Sequence, residues 1–319
     1  MAFQEETLES RAPDGGKVPG HELIVVSYRS RPQIEGLLAG LPADLPLAVV
    51  DNANGQDGLA ELVATRPNSR YIDGGGNGFA KAANLGARST EYEYVIFVNP
   101  DCRPTVTQLN TLVTTLAEAP LMASCAATMV GADGAVEIGN GGWEPTLKRA
   151  LVHAAGLHKL WPEAGLFARP RPYLPISVEW TTGACMAVRV STFVGLGCFD
   201  ESFYVYNEDV AFGRSVREKH LTQSLRTDIL VPHSAGGSGA PSLEMARLRG
   251  ASMARYVSRH NSTRTALLIR VGLALGYLTR VAAQLPTRNL PRAREHFSYV
   301  QGVLTARATV AGRDVTRDD

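Results

Sequence analysis

The run Tyr94-Val95-Ile96-Phe97-Val98, stopped at once by Asn99-Pro100-Asp101, constrains this chain more than any other stretch. Five apolar or aromatic residues without charge or alternation read as a strand covered on both faces, the condition of an inner strand in an α/β sheet. Pro100 cannot donate to a sheet ladder and ends it. Asn99 and Asp101 are therefore held just past a strand's carboxyl end, where open α/β sheets bind phosphates and metals. A turn with a solvated Asx cap is the plainer reading of the same residues.

The stretches before it repeat the pattern. Leu23-Ile24-Val25-Val26-Ser27-Tyr28 is a β-branched run that turns polar, and Arg31-Pro32 with Ile34, Leu37 and Leu38 opens a helix. Leu47-Ala48-Val49-Val50-Asp51-Asn52 is a second strand with an acid at its end, followed by a helix from about Leu59 to Thr65. Tyr71-Ile72 is a short third strand, and Asp73-Gly74-Gly75-Gly76-Asn77-Gly78 leads into a helix from Phe79 to Arg88. Strands alternating with short helices imply right-handed βαβ units and a mainly parallel sheet that binds a nucleotide at its carboxyl edge. The glycine loop matches neither the dinucleotide nor the Walker spacing, so it reads as a turn more than as a phosphate cradle.

Beyond the opening run come a helix from Thr107 to Ala117, an apolar strand from Met122 to Val130, and a hairpin signal at Ala132-Asp133-Gly134-Ala135. Residues 139–175 are rich in proline, carry Trp143 and Trp161 and show no period, as in a substrate-side insertion or lid. Trp180 to Val188 returns to a strand, and Asn207-Glu208-Asp209-Val210 opens a helix to about Lys219. Acids in a first helical turn complement the helix dipole. With Phe203, Tyr204 and Tyr206 just ahead of them, they also suit a walled site where one carboxylate takes a proton while Asp101 binds a cation. Leu230-Val231-Pro232-His233-Ser234 reads as a short strand into a flexible loop at 235–239, and a lone His such as His233 is more often structural than a ligand.

At 319 residues, 45% hydrophobic and 20% charged, the chain can bury a real core. Its four cysteines are far apart with no C-x-x-C pair, which argues against a zinc site and a disulfide framework and for a reducing, cytoplasmic setting. Residues 1–20 read as a disordered lead-in and 21–240 as the catalytic domain. Residues 241–319 form a basic helical region, with 13 Arg and no Lys against 5 acidic residues. That surplus suits a polyanionic surface. The tail lacks the aromatic interleaving of single-strand binders and any recognition-helix pattern, so no nucleic acid is expected. Its apolar helix, Thr263 to Gln284, reads as too short and too charged to span a bilayer. It fits an interfacial helix whose Arg270 and Arg280 reach for headgroups, or else a packing helix on the core.

Taken in order, these pieces resemble the family 2 glycosyltransferases of the GT-A fold across residues 22–240. The resemblance rests on Val25-Val26-Ser27-Tyr28, Val50-Asp51-Asn52, Asn77-Gly78-Phe79 with Asn84-Leu85-Gly86, and Asn99-Pro100-Asp101. It continues through Thr182-Gly183-Ala184, Gly197-Cys198-Phe199-Asp200-Glu201, Tyr206-Asn207-Glu208-Asp209 and Val231-Pro232-His233. It implies an α/β fold with a nucleotide-binding, mainly parallel sheet flanked by helices, and an inverting transfer from a nucleotide sugar.

Carried over residue by residue, the resemblance places Ser27 and Tyr28 in the nucleoside pocket, with Asp51 accepting from the N3–H of uracil or thymine. Asn77, Gly78 and Asn84 would border the nucleotide, with Asn99 and Gly183 on the same side. Asp101 would hold Mg2+ or Mn2+ against the diphosphate, with His233 at that metal. Asp209 would be the base, with Glu208 beside it, and Trp180 and Tyr206 would face the acceptor. Asn99 departs from the family's D-x-D, and Ala211 from a common second acid. Within the family the chain is most similar to membrane-associated rhamnosyltransferases acting on polyprenyl-diphosphate-linked N-acetylglucosamine, through Ala132-Asp133-Gly134-Ala135-Val136, Pro145-Thr146-Leu147-Lys148-Arg149 and Ser258-Arg259-His260-Asn261. That similarity implies a dTDP- or UDP-sugar donor, a lipid-diphosphate acceptor and a peripheral location on the inner face of an anionic cell membrane. A galactofuranosyl- or other hexosyltransferase and a non-catalytic nucleotide-sugar binder stay open, as does a homo-oligomer. The contacts that choose the sugar are expected in residues 139–175 and around Trp180.

Overall fold

The computed structural model describes residues 18–234 and 242–316. Most of the expected lead-in, and the loop expected at 235–239, lie outside the described residues. The chain opens with β1 (His21–Ser27), α1 (Arg31–Leu38), β2 (Leu47–Asp51), α2 (Leu59–Ala64), β3 (Ser69–Asp73), α3 (Phe79–Arg88) and β4 (Tyr94–Val98). It continues through α4 (Val106–Ala117), β5 (Met122–Val130), β6 (Gly141–Gly142), α5 (Leu147–Ala154), β7 (Trp180–Thr181), β8 (Cys185–Arg189), α6 (Val190–Gly195), α7 (Glu208–Glu218) and β9 (Thr222–Pro232). The C-terminal part holds α8 (Ser242–His260), α9 (Thr263–Gln284), α10 (Leu290–Thr305), β10 (Thr309–Val310) and β11 (Arg313–Asp314).

A seven-stranded sheet in the order β3-β2-β1-β4-β8-β5-β9 forms the centre. All its pairs are parallel except those of β8, which runs against β4 and β5. The expected mainly parallel sheet flanked by helices is what the structure shows. Every residue of β2 and β4 is buried, because helices cover both faces. On one face Val25, Val49 and Ile96 meet Leu109 and Leu112 of α4. On the other, Phe97 packs against Phe193 and Phe199 at ring distances of 5.3 and 5.2 Å.

Register decides where the polar strand ends fall. Ser27 lies beside Asp51, Asp51 beside Asp73, and Val98 beside Cys185. Since β8 runs backwards, the residues before it reach the same rim as those after β4, and the Asn99 N–H donates to the Ala184 carbonyl at 2.8 Å.

Several elements differ from the sequence reading. The strand expected from Trp180 to Val188 is interrupted at 182–184, and β7 pairs with β6 outside the main sheet. Residues 139–175 contain α5, capped by the Thr146 hydroxyl, which buries only Ala150 and His153 and so shows little period. The strand expected to be short before His233 is the eleven-residue β9. It is the sheet's edge strand, so its polar residues 222–224 and 226–228 need no apolar run to pair.

The C-terminal helices pack on the body. α8 and α10 touch through Gly250 and Gly302, where a methyl group on either would fall on the facing backbone. α9 rests on α5, with Gly276 against Ala154. Its inner face buries Ile269, Gly272, Leu273 and Gly276, while Leu267, Leu268, Val271, Leu275 and Leu278 are exposed along the opposite side. At 22 residues it is long and apolar enough to cross a membrane by length and composition, contrary to the expectation that it is too short. Arg270 and Arg280 do not reach outward. Arg270 donates to the carbonyls of Val303 and Leu304 at the end of α10, and Arg280 to His153. Orphan helix-end carbonyls attract these cations more closely than water would.

The glycine contact predicts that Gly302→Ala overpacks the α8–α10 crossing and costs about 1–3 kcal/mol. A thermal unfolding midpoint equal to that of the unsubstituted protein would show that the two helices are not packed this closely.

Candidate active site

Three clusters lie at the polar ends of the sheet and the helix that follows it. The first is a cavity of about 210 Å³ lined by Tyr28, Arg29, Asn52, Asn54, Gln56, Gly75, Gly76 and Tyr204, with Val310, Ala311 and Arg313 from the C-terminal hairpin. Ser27 lies beneath it, fully buried against the Ser30 hydroxyl. Asp51 does not line it. Its carboxylate, 0% exposed, accepts from the N–H groups of Ala53 and Gly55, both at 2.7 Å, and from the Tyr71 hydroxyl at 2.9 Å. The group expected to meet a pyrimidine thus folds the loop that carries the pocket, and burial together with that bond pushes the Tyr71 phenol up to about 12. The next residue offers more. Asn52 donates to the Gly78 carbonyl at 2.9 Å, while its own amide oxygen is buried without a partner.

Gly78 has φ +93°, and a Cβ there would fall on the Tyr204 carbonyl. Only glycine allows both this backbone and this approach, so Gly78 brings the 200s loop to the pocket. Asn77 turns back to the Gly74 carbonyl. Asn84, expected at the nucleotide, is 0% exposed and grips the chain near Phe199: it donates to the Phe199 carbonyl and to Glu201, and accepts from the Phe199 N–H. It is a buried clip between α3 and the segment before α7. Gly183 faces Phe79 and Phe199 at 3.5 and 3.8 Å, which makes it a packing position.

The second cluster joins Asp101 to His233. Backbone bonds fix both, from the His233 N–H to the Val130 carbonyl and from the Ser234 N–H to the Asp101 carbonyl. The imidazole Nε2 lies 3.2 Å from the Asp101 carboxylate, and Nδ1 lies 2.8 Å from Glu137. Burial alone would push this imidazole down, but the two carboxylates outweigh it and raise it to about 9. His233 is therefore no isolated structural histidine. Glu137 was not visible to sequence reasoning, since an acid two residues past a hairpin signal is ordinary. Ligand atoms of Asp101, Cys102 and His233 come within 4.8 Å of one another. The Cys102 thiol, held well above its usual range by burial, faces the Ala184 carbonyl and the Met129 sulfur. Asp101 supplies oxygen of the kind a hard cation prefers.

The third cluster is Glu208 and Asp209 in the first turn of α7. Tyr206 and Asn207 both have φ +70°, a left-handed pair unusual outside glycine, and they swing the chain into the helix. α8 braces this turn: Ser252 donates to the Val205 carbonyl, and Arg249 lies 4.9 Å over the Tyr206 ring. Glu208 is 6% exposed, and one of its oxygens has no partner. Burial, then the neighbouring Asp209, pushes it well up. Burial also raises Asp209, which keeps some solvent access and accepts from the Val210 N–H. A carboxylate with a raised pKa is a better proton acceptor near neutral pH.

Of the residues expected on the acceptor side, Trp180 is a core residue. Its indole N–H donates to the Trp143 carbonyl, and its ring meets Phe167 edge-on at 6.0 Å. A second cavity, about 390 Å³, is lined by Trp143, Trp161, Glu163, Arg169 and Arg171, all within the 139–175 insertion.

The profile described as Glycosyl transferase family 2 matches residues 23–193, more than half of the chain. The chain belongs to glycosyl transferase family 2. As a family 2 member it is a glycosyltransferase. It is 29% identical over 216 residues to N-acetylglucosaminyl-diphospho-decaprenol L-rhamnosyltransferase of Mycobacterium tuberculosis, covering 60% of this chain and 68% of that one. It is 24% identical over 204 residues to the low-salt glycan biosynthesis hexosyltransferase Agl10 of Haloferax volcanii, 62% of each chain. Among solved structures, the mannosyltransferase PcManGT from Pyrobaculum calidifontis, in complex with GDP-Man and Mn2+, superimposes with a TM-score of 0.54 at 16% identity. That match covers 95% of this chain and 89% of the other. GalNAc-T7 with UDP, GalNAc and Mn2+ gives 0.52 at 11% identity, covering 85% of this chain and 58% of that one. These likenesses show the fold, which is the expected GT-A arrangement.

Asn84→Ala strips two partners from the buried Phe199 backbone. It is expected to lower stability by about 1–3 kcal/mol. Nucleotide affinity of the folded fraction, read by titration calorimetry, should not change; a selective loss of affinity would return Asn84 to the binding surface.

Proposed function

We propose that this enzyme moves a sugar, in the leading reading L-rhamnose from dTDP-L-rhamnose, to a polyprenyl-diphosphate-linked N-acetylglucosamine, with inversion. The observation that carries this is a carboxylate pair, Glu208 buried with an unpartnered oxygen and Asp209 half-buried beside it, in a chain whose sheet rim holds an Asp–His cluster and an aromatic, amide-lined pocket. The donor's nucleoside goes to the pocket of Tyr28, Asn52 and Tyr204. Asp51 acts there by holding the loop in shape. Asp209 takes the acceptor hydroxyl's proton as that oxygen attacks the anomeric carbon, and the bond to the diphosphate breaks on the opposite side. Burial and the neighbouring Asp209 raise Glu208, which favours its neutral form and leaves Asp209 the better placed of the two to carry charge.

Asp101 and His233 would hold a divalent cation through one carboxylate oxygen and the imidazole Nε2, which must give up its proton to bind, with Glu137 on the far ring nitrogen orienting the ring as an outer partner. Mg2+ or Mn2+ bound there would offset charge on the departing nucleoside diphosphate. Asn99, held by its bond to Ala184, borders the same place.

For the acceptor, the rhamnosyltransferase relative is named for a decaprenol-linked substrate. The row of exposed leucines on α9 supports a peripheral seat on an anionic membrane, its inner face in this reading. The cavity of the 139–175 insertion, with its two tryptophans and two arginines, is the proposed acceptor side, replacing Trp180 in that role.

The test is release of dTDP when the purified enzyme meets dTDP-L-rhamnose, Mg2+ and the lipid-linked acceptor, beside a panel of UDP- and GDP-sugars. Release from a UDP-hexose alone would move the enzyme to that sugar, and binding without release from any donor would leave a non-catalytic module. Asp209→Asn should fold, keep its nucleotide affinity and lose at least about 100-fold in turnover; near-normal turnover would move the base elsewhere. Because the base works deprotonated and burial raises its pKa, turnover should fall on acidification at a pH above the ordinary aspartate range. A profile flat down to that range would contradict a raised base.

A further inference from the structure

We propose that the hairpin β10–β11 is part of the donor site and that Arg313 binds the nucleoside diphosphate, an inference that rests on the nucleotide-sugar reading above. The hairpin lies more than two hundred residues in sequence from the loops it meets, yet Val310, Ala311 and Arg313 make one wall of the pocket opposite Tyr28, Asn52 and Gly75. Its seat is built. Ala308 and Val310 are buried against Leu248 and Ala251 of α8. The Ala311 N–H donates to Glu244 at 3.0 Å, and Arg247 and Arg255 donate to the carbonyls of Arg307 and Thr316. Within the hairpin, Thr316 donates to Asp314 and receives the Ala308 N–H.

The held turn, Ala311-Gly312, carries Arg313 to the glycine loop, where its guanidinium donates to the Gly76 carbonyl at 3.3 Å. Among the described residues no carboxylate pairs with Arg313, nor with Arg29 across the pocket, which meets only Gln56 and the Tyr28 ring. Two guanidinium groups at a cavity with no acidic residue in its lining call for an anion. Tyr28, Tyr204, Asn54 and Gln56 line the same cavity with ring faces and amides that suit a neutral, hydrogen-bonding group. Anionic phosphates and a neutral hydrogen-bonding ring or sugar in one ligand describe a nucleotide. At about 210 Å³ the cavity is below the ~300–1,000 Å³ of pockets that enclose whole small molecules, so it would hold part of a nucleotide sugar and leave the rest outside.

Arg313 is exposed and anchored by one weak bond, so Arg313→Ala should leave the unfolding midpoint unchanged. With the full-length enzyme, calorimetric titration of dTDP, UDP and thymidine should show diphosphate affinity falling about tenfold in Arg313→Ala, while thymidine affinity stays unchanged. Donor KM should rise in parallel. Arg313→Lys, which keeps the charge and loses the fork, should recover part of the affinity. Diphosphate affinity equal to wild type in Arg313→Ala would overturn the inference while leaving the transferase reading intact. Failure of the wild-type enzyme to bind any nucleoside diphosphate would overturn both.

Discussion

The site depends on one constraint: the register that ends β1, β2, β4, β5 and β9 on a common rim while β8 runs the other way. Parallel strands present their carboxyl ends together, so Ser27, Asp51, Asn99 and His233 share an edge despite their separation in sequence. An antiparallel strand would ordinarily bring its own carboxyl end to the far side. Here it brings its beginning, and residues 182–184 join the rim through the bond from Asn99 to Ala184. A slip of one residue in β4 would turn Phe97 out of its aromatic cluster and face the rim with the wrong residues.

A second layer of control comes from α8. The same helix braces the turn before Glu208 through Ser252 and Arg249, and seats the terminal hairpin through Leu248 and Ala251. Tyr256 donates to Glu144, whose carboxylate also holds Arg214 and Arg217 of α7. Burial, then the Glu144 carboxylate, raises the Tyr256 phenol against the pull of the two arginines, while the arginines hold Glu144 below its usual range against its own burial. The Glu208–Asp209 turn and the pocket at Tyr28 are thus tied to one helix of the C-terminal region. That region is part of the site's frame as well as a candidate membrane face.

The apolar side of α9 follows a different logic. Its inner residues are small where it meets α5, which allows close approach, and its outer leucines are exposed among the described residues. The two arginines that would suit a headgroup layer instead close hydrogen bonds to carbonyls inside the chain. What remains for a surface is apolar contact, with charge supplied by other residues of the basic tail.

Much of this was legible in the residues. Uncharged runs ending in Asp or Asn announced the strands and their sheet, since a buried strand must be apolar and a proline must end it. The order of short motifs announced the family, and Asp101, His233, Glu208 and Asp209 were named from it. The edge strand β9, the small helix α5 and the terminal hairpin were hidden, because polar or very short elements leave no periodic trace. The sequence by itself determined which residues could be strand, helix and charge, for those are set by neighbours along the chain. Only the tertiary structure decided that Asp51 and Asn84 are gripped by backbone, that Glu137 stands behind His233, and that Arg313 returns to the first loops. Those are contacts between distant segments, and hydrogen bonding and burial choose them once the sheet has formed.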